Sequence, residues 1–245
     1  VEEASEEMRA ALQRFADGDR VGAYPVIEGL KRAQMAAREK AAEQRLRLAR
    51  AGDVRQLATL ALAMKDRGEK TSAEVMALWE EAQALDPGYH WGWVEMREVA
   101  MECGKLERAR VAAEKALGTA RGGREELVAL SGLGDVLVAQ GDLAGALEHF
   151  EASLEIAQKL AREGATNKVA LDDWGVSLEK VGSVLVARGN LGRALGQFEA
   201  SLRIRKILSR IDPANGHASR NLFVAFLKIG DVLAEQGDLP RALEN

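Results

Sequence analysis

The stretch Gln140–Ile156, QGDLAGALEHFEASLEI, returns 48 residues later as RGNLGRALGQFEASLRI at Arg188–Ile204 and begins a third time as QGDLPRALEN at Gln236. Aligned at that interval without a gap, the copies carry apolar residues at Leu130, Leu133 and Leu137, at Leu178, Val181 and Leu185, and at Phe226, Ile229 and Leu233. Steps of three and four residues place each set on one face of a helix, helix A of its unit. Gly141, Gly189 and Gly237 follow, and glycine at a helix C-terminus supplies the left-handed conformation that closes it. Asp142, Asn190 and Asp238 come next and are N-caps, so a second helix B starts at once and runs back antiparallel. Helix B carries Ala146, Phe150 and Leu154, repeated as Ala194, Phe198 and Leu202.

Gly134, Gly182 and Gly230 sit inside helix A, where glycine costs about 1 kcal/mol relative to alanine. A close crossing of helix B compensates, with Ala146, Ala194 and Ala242 opposite and Phe150 and Phe198 filling the space one turn on. The spacing L-x-x-L-G-x-x-L followed by A-x-x-x-F resembles the tetratricopeptide (TPR) repeat. The resemblance implies an all-α fold, an α-solenoid of antiparallel helix pairs wound into a right-handed superhelix. It also implies a scaffold that binds peptide tails or helices of other proteins and seldom catalyses.

Two degenerate units precede these. Trp93, Met96, Arg97, Ala100, Gly104, Ala109 and Ala113 keep the spacing, with Pro87 as the closing proline of the unit before. Arg97 stands where other copies have Gly and Ala113 where they have Phe, a volume exchange in which the Arg stem fills the gap and its head reaches water. Leu57, Leu60, Ala61 and Met64 predict an earlier helix A, and Thr71 with Glu74 a capping box opening a helix B that contains Trp79. At the N-terminus, Met8, Leu12 and Phe15 form a stripe one position out of register, and Pro25 interrupts the start of the next helix. The charged segment from Glu28 to Arg50 reads as a solvated helix packed along one side; an oligomerising coiled coil is the sharper reading, with few and irregular heptads. The chain thus divides into residues 1–52, a divergent helix pair; 53–121, two degenerate units; and 122–245, long units of 48-residue period, the last one cut short.

Composition agrees. Alanine, leucine, glutamate and arginine dominate while aromatics make up 4 %, the vocabulary of helices. A net charge of -4 opposes general nucleic-acid binding, which needs concentrated basic surface. No apolar run approaches a membrane span, and the start VEEASEEMRA has no secretory pattern. A first residue of Val leaves open an upstream segment. The single Cys103 points to a reducing compartment, the cytoplasm, and reads as a small buried apolar residue. His90, His149 and His217 lie apart, so no metal, cofactor or catalytic centre is expected.

By register, the positions facing the concave groove are Val94, Glu98 and Met101; Ser131, Asp135 and Val138; Glu179, Ser183 and Val186; and Leu227, Asp231 and Ala234. Asp135, Glu179 and Asp231 would draw an amphipathic or basic peptide, or merely solvate an exposed face. The Lys and Asn positions with which some co-chaperone TPRs clamp a carboxylate are not reproduced. Phe223, Phe226, Ile229 and Leu233 would form an open C-terminal end, covered by further repeats of a larger protein or by a second copy in a homodimer. Similar long-unit arrays occur in bacterial regulatory proteins beside a separate effector domain, which makes a peptide-sensing module or an oligomerisation arm the alternatives to a scaffold.

Overall fold

In the computed structural model, which describes residues 6–164, 167–212 and 216–244, every element is a helix. They are α1 (Glu6–Ala16), α2 (Arg20–Lys65), α3 (Ser72–Leu85), α4 (His90–Glu102), α5 (Leu106–Thr119), α6 (Gly123–Gln140), α7 (Leu143–Glu163), α8 (Lys168–Ala187), α9 (Leu191–Ile211), α10 (Gly216–Glu235) and α11 (Leu239–Glu244). Each packs on its neighbours in sequence, and α4 also touches α6. One core runs from Val54 to Leu233 along the stack. This is an α-solenoid, in which no helix pair buries its apolar face alone.

The turns form as the repeat predicts. Gly141 has φ 86°, Gly189 φ 73° and Gly237 φ 80°, and the residue after each donates its N–H back to Leu137, Leu185 or Leu233 at 2.8–2.9 Å. That six-to-one bond satisfies a carbonyl the helix end would otherwise orphan. Asp142 then accepts from Gly145 N at 2.9 Å and Asn190 from Arg193 N at 3.4 Å. Two of the three inner glycines are crossed closely by helix B, with the phenylalanine ring rather than the alanine nearest, whereas a Cβ on Gly230 would meet only the Ala242 carbonyl, at 3.8 Å. A Cβ on Gly134 would stand 2.4 Å from the Phe150 ring, and one on Gly182 2.6 Å from Phe198.

The N-terminal half departs from expectation. α2 runs unbroken through 46 residues, so the division between residues 52 and 53 falls inside a helix that serves first as helix B of one pair and then as helix A of the next. Gly52 stays out of the left-handed region, because Ala51, Val54, Ala58 and Ala61 form a continuous buried stripe that a turn would interrupt. Pro25 lies inside the helix; near the N-terminus its missing N–H removes a single bond. The predicted stripe is also shifted, for Leu57 and Leu60 are exposed while Val54 and Ala58 are buried. In α1 the buried positions are Met8 and Ala11, not Leu12 and Phe15.

The capping box at α3 is present: Thr71 Oγ1 accepts from Glu74 N at 3.2 Å, and Glu74 accepts from Thr71 N at 2.9 Å. Lys70, the Thr71 N–H and the Thr71 hydroxyl all donate to the Glu74 carboxyl and hold it down at about 2. A depressed carboxylate stabilises the fold above its ordinary value of 4.5, and that contribution is lost as pH falls toward 2. In Thr71→Ala the Glu74 carboxyl loses the Thr71 hydroxyl but keeps Lys70 and the residue-71 N–H, so its pKa is expected to rise only part of the way toward 4.5, measured by NMR titration, and α3 to lose about 1 kcal/mol of cap stability.

Candidate functional site

The A helices α4, α6, α8 and α10 carry the predicted groove positions, and the structure gathers four of them. Asp135 and Val138 of α6 and Glu179 and Ser183 of α8 line one crevice of about 340 Å³, together with Phe150 of α7 and Lys228 of α10. Its floor is apolar and its rim is charged. Lys180, also in the lining, bonds Asp135 at 2.6 Å and lies 5.3 Å from the Phe150 ring centre. Lys228 repeats the device one unit on, 5.4 Å from the Phe198 ring, 3.9 Å from Glu179 and 3.4 Å from Ser183 Oγ. Both cations thus cap a core phenylalanine and pair with an acid of the preceding helix A.

Glu179 is further held from below. Arg205 of α9, only 2 % exposed, donates to Glu179 at 3.0 Å and also pairs with Asp172. Ser201 donates to the same Glu179 oxygen at 2.8 Å. Two of the three acids expected to recruit a basic peptide are therefore neutralised within the fold. Asp231 is exposed and makes no ion pair among the described residues.

Other predicted positions scatter. Val94 is buried with Ala116 and Ala129, because α5 and α6 close over it, and so it does not face a groove. Met101 and Val186 pack against the main core. Glu98 is exposed and pairs with its neighbour Arg97; Ser131 is half-buried, whereas Leu227 and Ala234 are exposed. Arg97 itself does not reach water. Its side chain is 7 % exposed, lies over Gly132 of α6 and approaches Asp135 at 3.8 Å.

At the C-terminal end, Ile229 and Leu233 are buried at 3 % and 0 %, and Phe226 is partly covered. They correspond to the buried Val181 and Leu185 one unit earlier, and α9 covers α10 as α7 covers α8. Of that predicted open face, Phe223 is exposed, joined by Leu227 and Leu239. Cys103 is exposed rather than buried, since it follows the last helical residue of α4. His90 is buried with Nδ1 2.9 Å from the Ala116 carbonyl, and the His217 side chain lies outside the described residues. Among the described residues no group of three His, Cys, Asp or Glu side chains could hold a metal, and no helix is long and apolar enough to cross a membrane.

Sequence reasoning missed Lys180 and Lys228, although they stand one 48-residue interval apart, and missed the paired serines of the repeated FEASL. Ser153 and Ser201 are buried and donate to the Leu127 and Gly175 carbonyls at 3.2 Å. The identical geometry in successive units was legible as a repeat but not as a hydrogen bond.

Residues 127–161, from the second turn of α6 to the last turn of α7, match the family model described as tetratricopeptide repeat. Among solved structures the chain is similar to BtubC (BKLC) from P. vanneervenii, 20 % identical over 89 % of this chain and 85 % of that one, with a TM-score of 0.66. It is also similar to a Podosopora anserina putative kinesin light chain with nearly identical TPR-like repeats, 16 % identical over 79 % and 91 %, TM-score 0.62. The apo form of RapI is 14 % identical over 78 % and 66 %, TM-score 0.62. At these identities what is shared is the fold. No curated protein matches the sequence.

Proposed function

Since the chain is an array of tetratricopeptide type, we propose that it is a protein-interaction scaffold whose A-helix surface holds a segment of another polypeptide across α6, α8 and α10. The observation that supports this most is the crevice, where an apolar floor meets cations and acids from three successive A helices. The bound segment is amphipathic. Its apolar side chains seat on Val138, Val184 and Phe150, and a carboxylate from it competes for Lys228, whose own acid is 3.9 Å away. Asp231, exposed on the same helix as Lys228, takes a basic residue. Because Asp135 and Glu179 already have cationic partners, a merely basic peptide has little to gain there.

A random-peptide selection against the purified chain tests this. Selected peptides are expected to combine apolar and acidic residues and to bind Val138→Glu at least ten-fold more weakly, about 1.4 kcal/mol, by calorimetry. Val138 is 40 % exposed, so this variant keeps the fold. Selected peptides that bind it as tightly as wild type would place the interaction elsewhere.

A further inference from the structure

α2 carries an apolar face that the crevice does not use. Tyr24, Met35, Leu46 and Leu57 follow one another at intervals of eleven residues and are 57, 60, 73 and 54 % exposed. Eleven residues make three turns at about 3.67 residues per turn, so the four lie in line along the helix. Val21, Leu60 and Met64, also exposed, flank that line.

The repeat register explains why the face is apolar. Leu57, Leu60 and Met64 stand before Gly68 as Leu130, Leu133 and Leu137 stand before Gly141. In α6 these positions are buried, with α5 packed on that helix. In α2 the preceding helix B is the same continuous helix, so among the described residues nothing covers them. The face has the form that elsewhere in this chain receives an antiparallel helix.

We propose that it receives α2 of a second copy, forming an antiparallel, two-fold symmetric dimer. The sequence is self-complementary in that arrangement. Val21, Tyr24 and Met35 lie as far before the point between Lys40 and Ala41 as Leu60, Leu57 and Leu46 lie after it. A two-fold axis there sets Tyr24 against Leu57 and Met35 against Leu46, each pair made twice, as an isologous interface requires, with Val21 and Leu60 on opposite flanks of the seam. The same axis brings Lys31 within one turn of the other copy's Asp53. Both are exposed, lie on the same side of the stripe and make no ion pair among the described residues. The seven apolar side chains leave on the order of 800 Å² uncovered per copy, which is one partner's share of a stable interface.

Sedimentation of the full chain, with variants, decides the matter. Wild type is expected to be a dimer at micromolar concentration and Leu46→Glu a monomer under the same conditions, with helical circular dichroism unchanged because Leu46 touches no core. In a Cys103→Ser background, Met35→Cys and Leu46→Cys chains mixed under oxidation are expected to cross-link to each other, and neither to itself. Three results would overturn the proposal: a monomeric wild type, a dimer that survives Leu46→Glu but is dispersed by Phe223→Glu, or self-cross-linking of Met35→Cys alone, which means parallel helices.

Discussion

Phe150→Ala is expected to destabilise the chain by ~3–5 kcal/mol, among the largest effects of any single truncation in the array. The ring is 2 % exposed, presses on Gly134 and carries Lys180 on its other side. Removing it opens a cavity beneath the crevice and unseats the cation as well. The companion variant makes the cause specific. Helix propensity alone gives Gly134→Ala a gain of about 1 kcal/mol, yet its new Cβ would meet a buried ring at 2.4 Å, so the substitution is expected to cost about 1–3 kcal/mol instead. In the Phe150→Ala background the clash is gone and Gly134→Ala should turn stabilising. Urea unfolding of the four chains measures that reversal of sign as a coupling energy. A Gly134→Ala gain in wild type would mean that helix α7 does not cross as closely as described.

The second large effect belongs to Arg205. Its guanidinium is buried between α8 and α9, with Glu179 the more enclosed of its two acids and Asp172 about half exposed. Arg205→Met keeps the aliphatic volume and removes the charge, leaving Glu179 to Ser201 and the more distant Lys228. Breaking a buried pair from one side costs about 3 kcal/mol, whereas replacing both partners with apolar groups is often neutral. Arg205→Met is therefore expected to lose about 3 kcal/mol in chemical denaturation, and Arg205→Met with Glu179→Met to recover most of it. Equal losses in single and double variants would assign the effect to packing rather than charge. The contrast with Lys180–Asp135 is instructive, because that pair is partly solvated and such pairs contribute about 1 kcal/mol or less.

What the sequence made legible follows from which contacts repeat. Turn glycines, N-caps and the Gly134–Phe150 crossing recur at a fixed interval, and each rests on local geometry that a residue type states by itself. Where the repeat degenerates, the reading slipped. The division after residue 52 falls where a buried stripe runs on and the helix continues. Ile229 and Leu233 read as an open end because helix A has two apolar sides, one against the preceding helix B and one against its own; register with Val181 and Leu185 would have placed them inside. The groove was half legible. Asp135, Val138, Glu179 and Ser183 do converge, but the cations that neutralise two of the acids, Lys180 of α8 for Asp135 and Arg205 of α9 for Glu179, each come from a different helix than the acid, and a single-helix pattern carries no sign of them. Val94 is covered by Ala116 of α5 and Ala129 of α6, contacts from other helices that its own helix pattern does not state.

Hydrogen exchange of the chain with and without a selected peptide tests most directly the claim that the A-helix surface is where a partner sits. The account predicts slowed exchange in α6, α8 and α10, centred on the segments around Val138 and Ser183, with α7 affected only between Leu143 and Phe150 and α9 unchanged. Protection confined to α7 and α9, or to α2, would contradict it.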